Sequence, residues 1–221
     1  KSELEAVYPL LHTDAVQAFQ FLDCDVNKLS VDLMTLSAHK IYGSKGIGLL
    51  YRKLQITNYK LQTILTGGGQ EFGLRSATEN VPAIVGFSKA AELAIKNREK
   101  EMKRITQLRD YFWQKLKKIC PAAEINGLID KTKSLPNILN VYFPNHDAQD
   151  LLMKLDFHGV AVSAGSACSA RSTKQSHVLK ALGCPEKRIK NSLRFSLGRP
   201  TTKKEINEAL KRMREIKIKF G

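Results

Sequence analysis

Apolar residues recur along this chain with changing spacing, and the changes mark the elements. Val31 to Leu36 is a short, mostly apolar run that reads as a buried strand leading to Lys40, and Ile47 to Tyr51 reads as the next strand. Ala15 to Leu22, after the polar step His12-Thr13-Asp14, predicts a short helix. Gly67-Gly68-Gly69 marks a loop. This alternation over the first ninety or so residues predicts an α/β sheet. A long helical region runs from Val81 to about Lys118, with room for one break. Its second half sets Ile105, Leu108, Phe112, Leu116 and Ile119 three and four apart, one apolar stripe among Lys, Arg, Glu and Gln. Pro121 closes the region.

A second unit follows. Leu139 to Phe143 is a strand candidate, Ala148 to Leu155 a helix ended near Gly159, and Val160 to Ser163 and Ser192 to Leu197 two further strands. The last helix begins at Thr201 or Thr202, because Glu205 completes a capping box after Thr202. Ile206, Leu210, Met213 and Phe220 mark its buried side. There is no internal repeat and no low-complexity segment.

Composition bounds this picture. A chain of 221 residues with 43% hydrophobic and 26% charged residues can bury a sizeable core in one or two domains. The net charge of +15 fits nucleic acid, an acidic protein partner, a membrane surface or simply a basic exterior. The 36 Lys and Arg residues are spread along the chain and not gathered in one tail, which argues against nucleic acid. The four cysteines, Cys24, Cys120, Cys168 and Cys184, form no CxxC pair, so neither a zinc site nor any other metal is expected. Nothing resembles a signal peptide, and no run reaches the roughly 20 apolar residues that span a bilayer. The expected setting is a reducing cytoplasm, with no membrane partner.

Four short stretches carry chemistry. In "LLHTDAVQAF", Asp14 reads as a helix N-cap or as a carboxylate holding a protonated ring nitrogen, with Gln17 able to face the same way. In "TLSAHKIYGSKGIGLLY", Lys40 follows Ser37 and His39; it reads as a loop-edge lysine or as an amine placed for a Schiff base beside two phosphate ligands. In "VSAGSACSARS", Cys168 lies among small residues that leave a thiol accessible, as a nucleophile or as a free cysteine in a turn. The other three cysteines have bulkier surroundings and read as structural. In "NSLRFSLGRP", Arg194 interrupts an apolar strand, as a structural salt bridge or as a bidentate carboxylate anchor.

Taken in order, "HTDAVQAF", "SAHKIYGSKGIGLLY", "GGGQEFGLRSATENVPAIVGF", "SAGSACSA" and "SLRFSLGRPTTKKEI" resemble the successive motifs of the NifS/IscS-type cysteine desulfurases. The resemblance runs from about Leu11 to the C-terminus. It implies an α/β fold, the fold type I of transferases that depend on pyridoxal 5′-phosphate (PLP). A partial large-domain sheet over 1–95 would be joined by a helix over 96–120 to an α+β small domain over 121–221. It implies that Lys40 bonds PLP and shuttles protons, that Asp14 pairs with the pyridinium nitrogen and that Gln17 binds the ring oxygen. Ser37 and His39 would hold the phosphate, and Thr78 would reach the phosphate of a neighbouring subunit in a homodimer. Arg194 would hold the carboxylate of L-cysteine. Cys168 would take the sulfur as a persulfide, leaving L-alanine, and pass it to an acceptor or an iron–sulfur scaffold protein, for cluster assembly or tRNA thiolation.

Two departures stand out. Ala77 occupies a position where the family usually has Gly. The family also has about twice this length, and its N-terminal part is absent here. The second reading is therefore a catalytically inactive, shortened desulfurase that serves as a dimerisation or scaffold-binding module.

Overall fold

The apolar run before Lys40 folds as a strand because both its neighbours in the sheet come from adjacent sequence. The computed structural model describes residues 9–54, 61–127, 134–165 and 176–216. Strand β1 (His12–Asp14) lies parallel to β2 (Leu33–Ser37), with Asp14 opposite Thr35. Strand β3 (Gly48–Arg52) lies antiparallel on the other side, with Ser37 opposite Gly48. Side chains alternate across a sheet, so His12, Asp14, Thr35 and Ser37 share one face while Met34, Leu36 and Tyr51 share the other. The second face is the core. Met34 packs with Ala15 and Val31, and Leu36 joins this cluster to another made of Ala38, Ile41, Phe87, Ala90 and Ala94.

The chain divides into two compact units, Lys1–Glu99 and Lys100–Gly221. The first also holds the single-turn helix α1 (Val26–Leu29), capped by the Asp25 carboxylate. Helix α2 (Val81–Ile119) contributes to both units and has no break. Pro82 sits in its first turn, where a missing N–H costs nothing. The first half buries Ala83, Phe87, Ala90 and Ala94; the second buries Ile105, Phe112 and Leu116 of the expected stripe. Leu108 and Ile119 are half-buried at its margins.

In the second unit β4 (Glu124–Ile125), β5 (Ile138–Tyr142) and β6 (Ser192–Ser196) form an antiparallel sheet in that order. Phe195 on β6 meets the Phe112 ring at 4.9 Å and packs edge-on to Phe143. Helix α3 (Ala148–Phe157) starts at the Asp147 cap, and α4 (His177–Ala181) and α5 (Glu186–Lys190) precede β6. Helix α6 (Lys203–Glu215) has the full capping box: Glu205 N donates to Thr202 Oγ1, and Thr202 N donates to the Glu205 carboxylate at 2.7 Å. Ile206, Leu210 and Met213 are buried; Phe220 lies outside the described residues.

Two expected elements differ. Ala15 to Leu22 is a run of turns, not a helix: Phe19 N donates to Ala15 O and Leu22 N to Ala18 O, without a continuous ladder. Ala15 and Phe21 are both buried, yet a regular helix would point them about 120° apart. Val160 to Ser163 contributes only one paired residue, Ser163 opposite Arg194. Val160 N is already bonded to Leu155 O, closing the end of α3.

Hydrogen bonds from Thr202 hold the Glu205 carboxyl below the usual carboxylate range. Thr202→Ala removes the cap and lowers stability by about 1 kcal/mol. A lowered carboxyl contributes stability above its ordinary value and loses it as pH falls through the lowered one. Urea midpoints of wild type and variant therefore keep a constant gap from pH 8 to 6, and the gap narrows in acid; a gap that widens in acid overturns the assignment. Ala77 sits at φ 157°, a conformation that favours glycine. Ala77→Gly relieves that strain and raises stability by about 1 kcal/mol in the same assay.

Candidate active site

Strands β1 and β2 run parallel, so both present their carboxyl ends at one edge of the sheet, where open α/β sheets bind ligands. Asp14 is the last residue of β1, and Ser37 the last of β2. Asp14 Oδ1 accepts from Val16 N at 2.9 Å, which turns the chain and leaves the carboxylate exposed. No helix follows it, so the N-cap reading gives way to a turn cap. Gln17 is exposed in the turn that follows.

After Ser37 the chain closes a 3-10 turn, Ala38–Ile41, that carries His39 and Lys40. Ala38 N donates to Ile47 O, Gly43 N donates to Ala38 O at 2.8 Å, and Tyr42 adopts φ 66°. A Cβ at Gly43 would meet Ala38 and Ala90 at 3.1 Å, so a side chain there would have to push the turn or α2 aside by a few tenths of an ångström. Ala38 and Ile41 anchor the turn in the core and leave His39 exposed and Lys40 half-buried. Ser37 Oγ lies 2.7 Å from His39 Nδ1. Lys40 has no carboxylate partner among the described residues. The structure thus brings Asp14, Ser37, His39 and Lys40 to one end of two adjacent strands, with Gln17 in the turn after Asp14. Thr78 lies in the exposed stretch before α2 and makes no hydrogen bond to that group.

In the second unit Arg194 occupies the middle of β6, opposite Asn140. Its backbone pairs with Ser163 in both directions, at 2.7 and 3.1 Å. Its Nε is buried with no hydrogen-bond partner, so the salt-bridge reading leaves part of the guanidinium unused. Cys168 lies outside the described residues. The segment leading to it starts at Ser163, whose hydroxyl donates to Gly165 O at 2.7 Å. Burial pushes the Cys24 and Cys120 thiols up, so neither is suited to attack as a thiolate.

Three contributors were not singled out by sequence reasoning. His12 Nε2 lies 2.8 Å from Thr35 Oγ1, on the face and strands of Asp14 and Ser37. Asp32, buried, accepts from Leu11 N at 3.0 Å. Ser163 fixes the root of the cysteine segment. His12 and Asp14 alternate on one strand face, a signal present in the sequence; the Ser163–Arg194 pairing joins distant residues and leaves none. Among the described residues no cluster of His, Cys, Asp and Glu could hold a metal ion, and no helix is long and apolar enough to cross a membrane.

Comparison with known proteins shows the family. Residues 4–209 match the model of the family described as aminotransferase class-V. The cysteine desulfurase IscS of Dictyoglomus turgidum is 43% identical over 90% of this chain, which covers 49% of that relative. A crystal structure of a NifS-like protein from Rickettsia africae superposes over 94% of this chain and 53% of its own, with a TM-score of 0.79 at 34% identity. The structure of SspA in complex with cysteine is also 34% identical, with a TM-score of 0.63 over 85% of this chain and 50% of its own. The chain spans about half the length of the curated relatives it matches. The two sheets and their helices are part of the fold type I of PLP-dependent enzymes, and this chain belongs to the aminotransferase class-V family.

Proposed function

We propose that this chain provides the lysine, the substrate anchor and the sulfur-accepting thiol of a cysteine desulfurase. The observation that carries the reading is the set of side chains at the carboxyl ends of β1 and β2. A carboxylate, an amide, a hydroxyl, an imidazole and an unpaired amine are the donors and acceptors that a phosphorylated pyridine aldehyde requires. The residues present therefore fit PLP. When bound, PLP supplies an electron sink that makes a substrate Cα proton removable.

The chain's own groups take defined tasks. Asp14 would hold a proton on the pyridine nitrogen, and Gln17 would bind the ring oxygen. With the Ser37 hydroxyl donating to His39 Nδ1, His39 keeps its Nε2 proton for a phosphate oxygen. Lys40 would hold the cofactor through its amine and would hold or deliver a proton at the substrate Cα. Arg194 binds the L-cysteine carboxylate, satisfying its orphaned Nε. Cys168 takes the substrate sulfur: L-cysteine and the enzyme thiol give L-alanine and an enzyme persulfide. An acceptor in iron–sulfur cluster assembly or tRNA thiolation then removes the sulfur.

In this reading residues 1–95 belong to the PLP-binding large domain, 96–120 to a connecting helix and 121–221 to the small domain. Thr78 serves the neighbouring subunit of a homodimer. Its segment has exposed apolar residues suited to such a contact: Ile64 is 93% exposed and Phe72 fully so, with Phe72 held at φ 57°.

The test is spectroscopic first. The chain mixed with PLP develops the absorption of a lysine-bound cofactor, and Lys40→Ala does not. Alanine forms from L-cysteine in the wild type, while Cys168→Ser yields none and keeps the absorption. If a folded chain shows no band, the half of the relatives not represented here is added as a second chain; continued absence of the band favours the inactive module. Arg194→Ala raises KM for L-cysteine tenfold or more, the loss of a charge-assisted hydrogen bond, and leaves the cofactor absorption unchanged.

A further inference from the structure

The charge of this chain is not shared between its units. Residues 100–221 hold 25 of the 36 Lys and Arg but only 11 of the 21 Asp and Glu, so they carry +14 of the +15. Within this unit four arginines are committed. Arg104 binds Glu101 and the carbonyls of Gly198, Arg199 and Thr201; Arg109 binds Asp110; Arg188 binds Glu124, Asn126 and the Ile125 carbonyl; Arg212 binds Glu208 and the His158 carbonyl. The uncommitted cations are mostly lysines, and five of these lysines, with Arg214, line one seam.

That seam lies where α6 meets α2. Tyr111 Oη donates to Asn207 Oδ1 at 2.6 Å, and the Tyr111 ring has Lys203 Nζ at 4.6 Å and Lys115 Nζ at 5.6 Å from its centroid. Helical spacing sets Lys115 and Lys118 on the Tyr111 flank of α2. The same spacing sets Lys203, Lys204, Lys211 and Arg214 on the Asn207 flank of α6. Of these six, only Lys211 has a carboxylate within 4 Å among the described residues, Glu215 at 3.9 Å.

The occupant follows from what the seam lacks. A protein interface is anchored by buried aromatic and aliphatic side chains. A membrane-binding helix needs an apolar face to insert. Neither α6 nor α2 beyond residue 99 exposes a large apolar side chain among the described residues. Lysine binds phosphate as a point charge, without the planar geometry that arginine's bidentate fork imposes, which suits a backbone met without sequence preference. We propose that the α2–α6 seam binds the phosphodiester backbone of a nucleic acid, without sequence preference. The spread of basic residues along the chain does not oppose this, because the fold gathers into one seam residues almost a hundred positions apart.

The experiment is a fluorescence-anisotropy titration of the 221-residue chain with a short RNA duplex at 50 and 200 mM salt, with polyglutamate as competitor. Binding with four phosphates neutralised gives a log–log salt slope of about −3 to −4. The triple variant Lys118→Glu, Lys204→Glu, Lys211→Glu loses tenfold or more in affinity. The distal triple Lys154→Glu, Lys180→Glu, Lys187→Glu, with the same change in net charge, loses less than threefold. Circular dichroism confirms that both fold; should the first not, the Lys→Gln triple replaces it. Equal losses in the two triples, equal competition by polyglutamate, or no binding at 50 mM salt each overturns the proposal. Lys40→Ala binds as the wild type does, which separates this result from the fate of the desulfurase reading.

Discussion

The buried carboxylate of Asp32 sets the register on which the candidate site depends. It accepts from Leu11 N just before β1, while its own N–H donates to Leu11 O and its carbonyl accepts from Lys53 N just after β3. One residue at the foot of β2 thus holds both neighbouring strands. A buried charge is costly unless hydrogen bonds compensate it, so a slip that broke these bonds would be penalised twice. A one-residue slip of β1 would also turn Asp14 from the polar face into the core. The facing of Asp14 and Thr35, near the turn that bears Lys40, is therefore fixed from the opposite end of the strands.

The two faces of this sheet divide the labour. Met34 and Leu36 tie β2 to the clusters that also bury Ala38 and Ile41, so the turn carrying Lys40 is anchored by its apolar members. The polar members, His39 and Lys40, are left outside by the same packing. The close contact of Gly43 with Ala38 and Ala90 locks the turn against α2. The Lys40 side chain thus has freedom to move on a backbone that has little.

Much of this was legible in the sequence where the signal was local. The capping box at Thr202 and Glu205, the stripe on α2 and the polar step at Ser37-Ala38-His39-Lys40 are short-range patterns that tertiary contacts reinforce. The misreadings arose where tertiary contacts won. A single stretch from Ala15 to Leu22 has helical composition, but burying both Ala15 and Phe21 required consecutive turns. Val160 to Ser163 looked like a strand, yet the end of α3 claimed the Val160 N–H and left one paired residue. The candidate residues themselves were found because the motifs are contiguous. Ser163 escaped because its role exists only through Arg194, some thirty positions away.

Charge shows the same limit from another side. Arginine and lysine count equally in a net charge, but the fold treats them differently. Arg104 closes the carbonyls ahead of α6, Arg188 crosses from α5 to β4 while stacking on Tyr142, and Arg212 holds the end of α3 to α6. Each uses the several donors of a guanidinium to satisfy backbone carbonyls or buried acceptors that one ammonium could not reach together. Lysines are left to the solvent side, apart from cases such as Lys117, which caps the carbonyls of Pro121 and Ala123. The second unit is thus stitched by arginine and coated by lysine. These arginines are spent on structure, and the surface field is set mostly by lysines that no fold requirement has claimed.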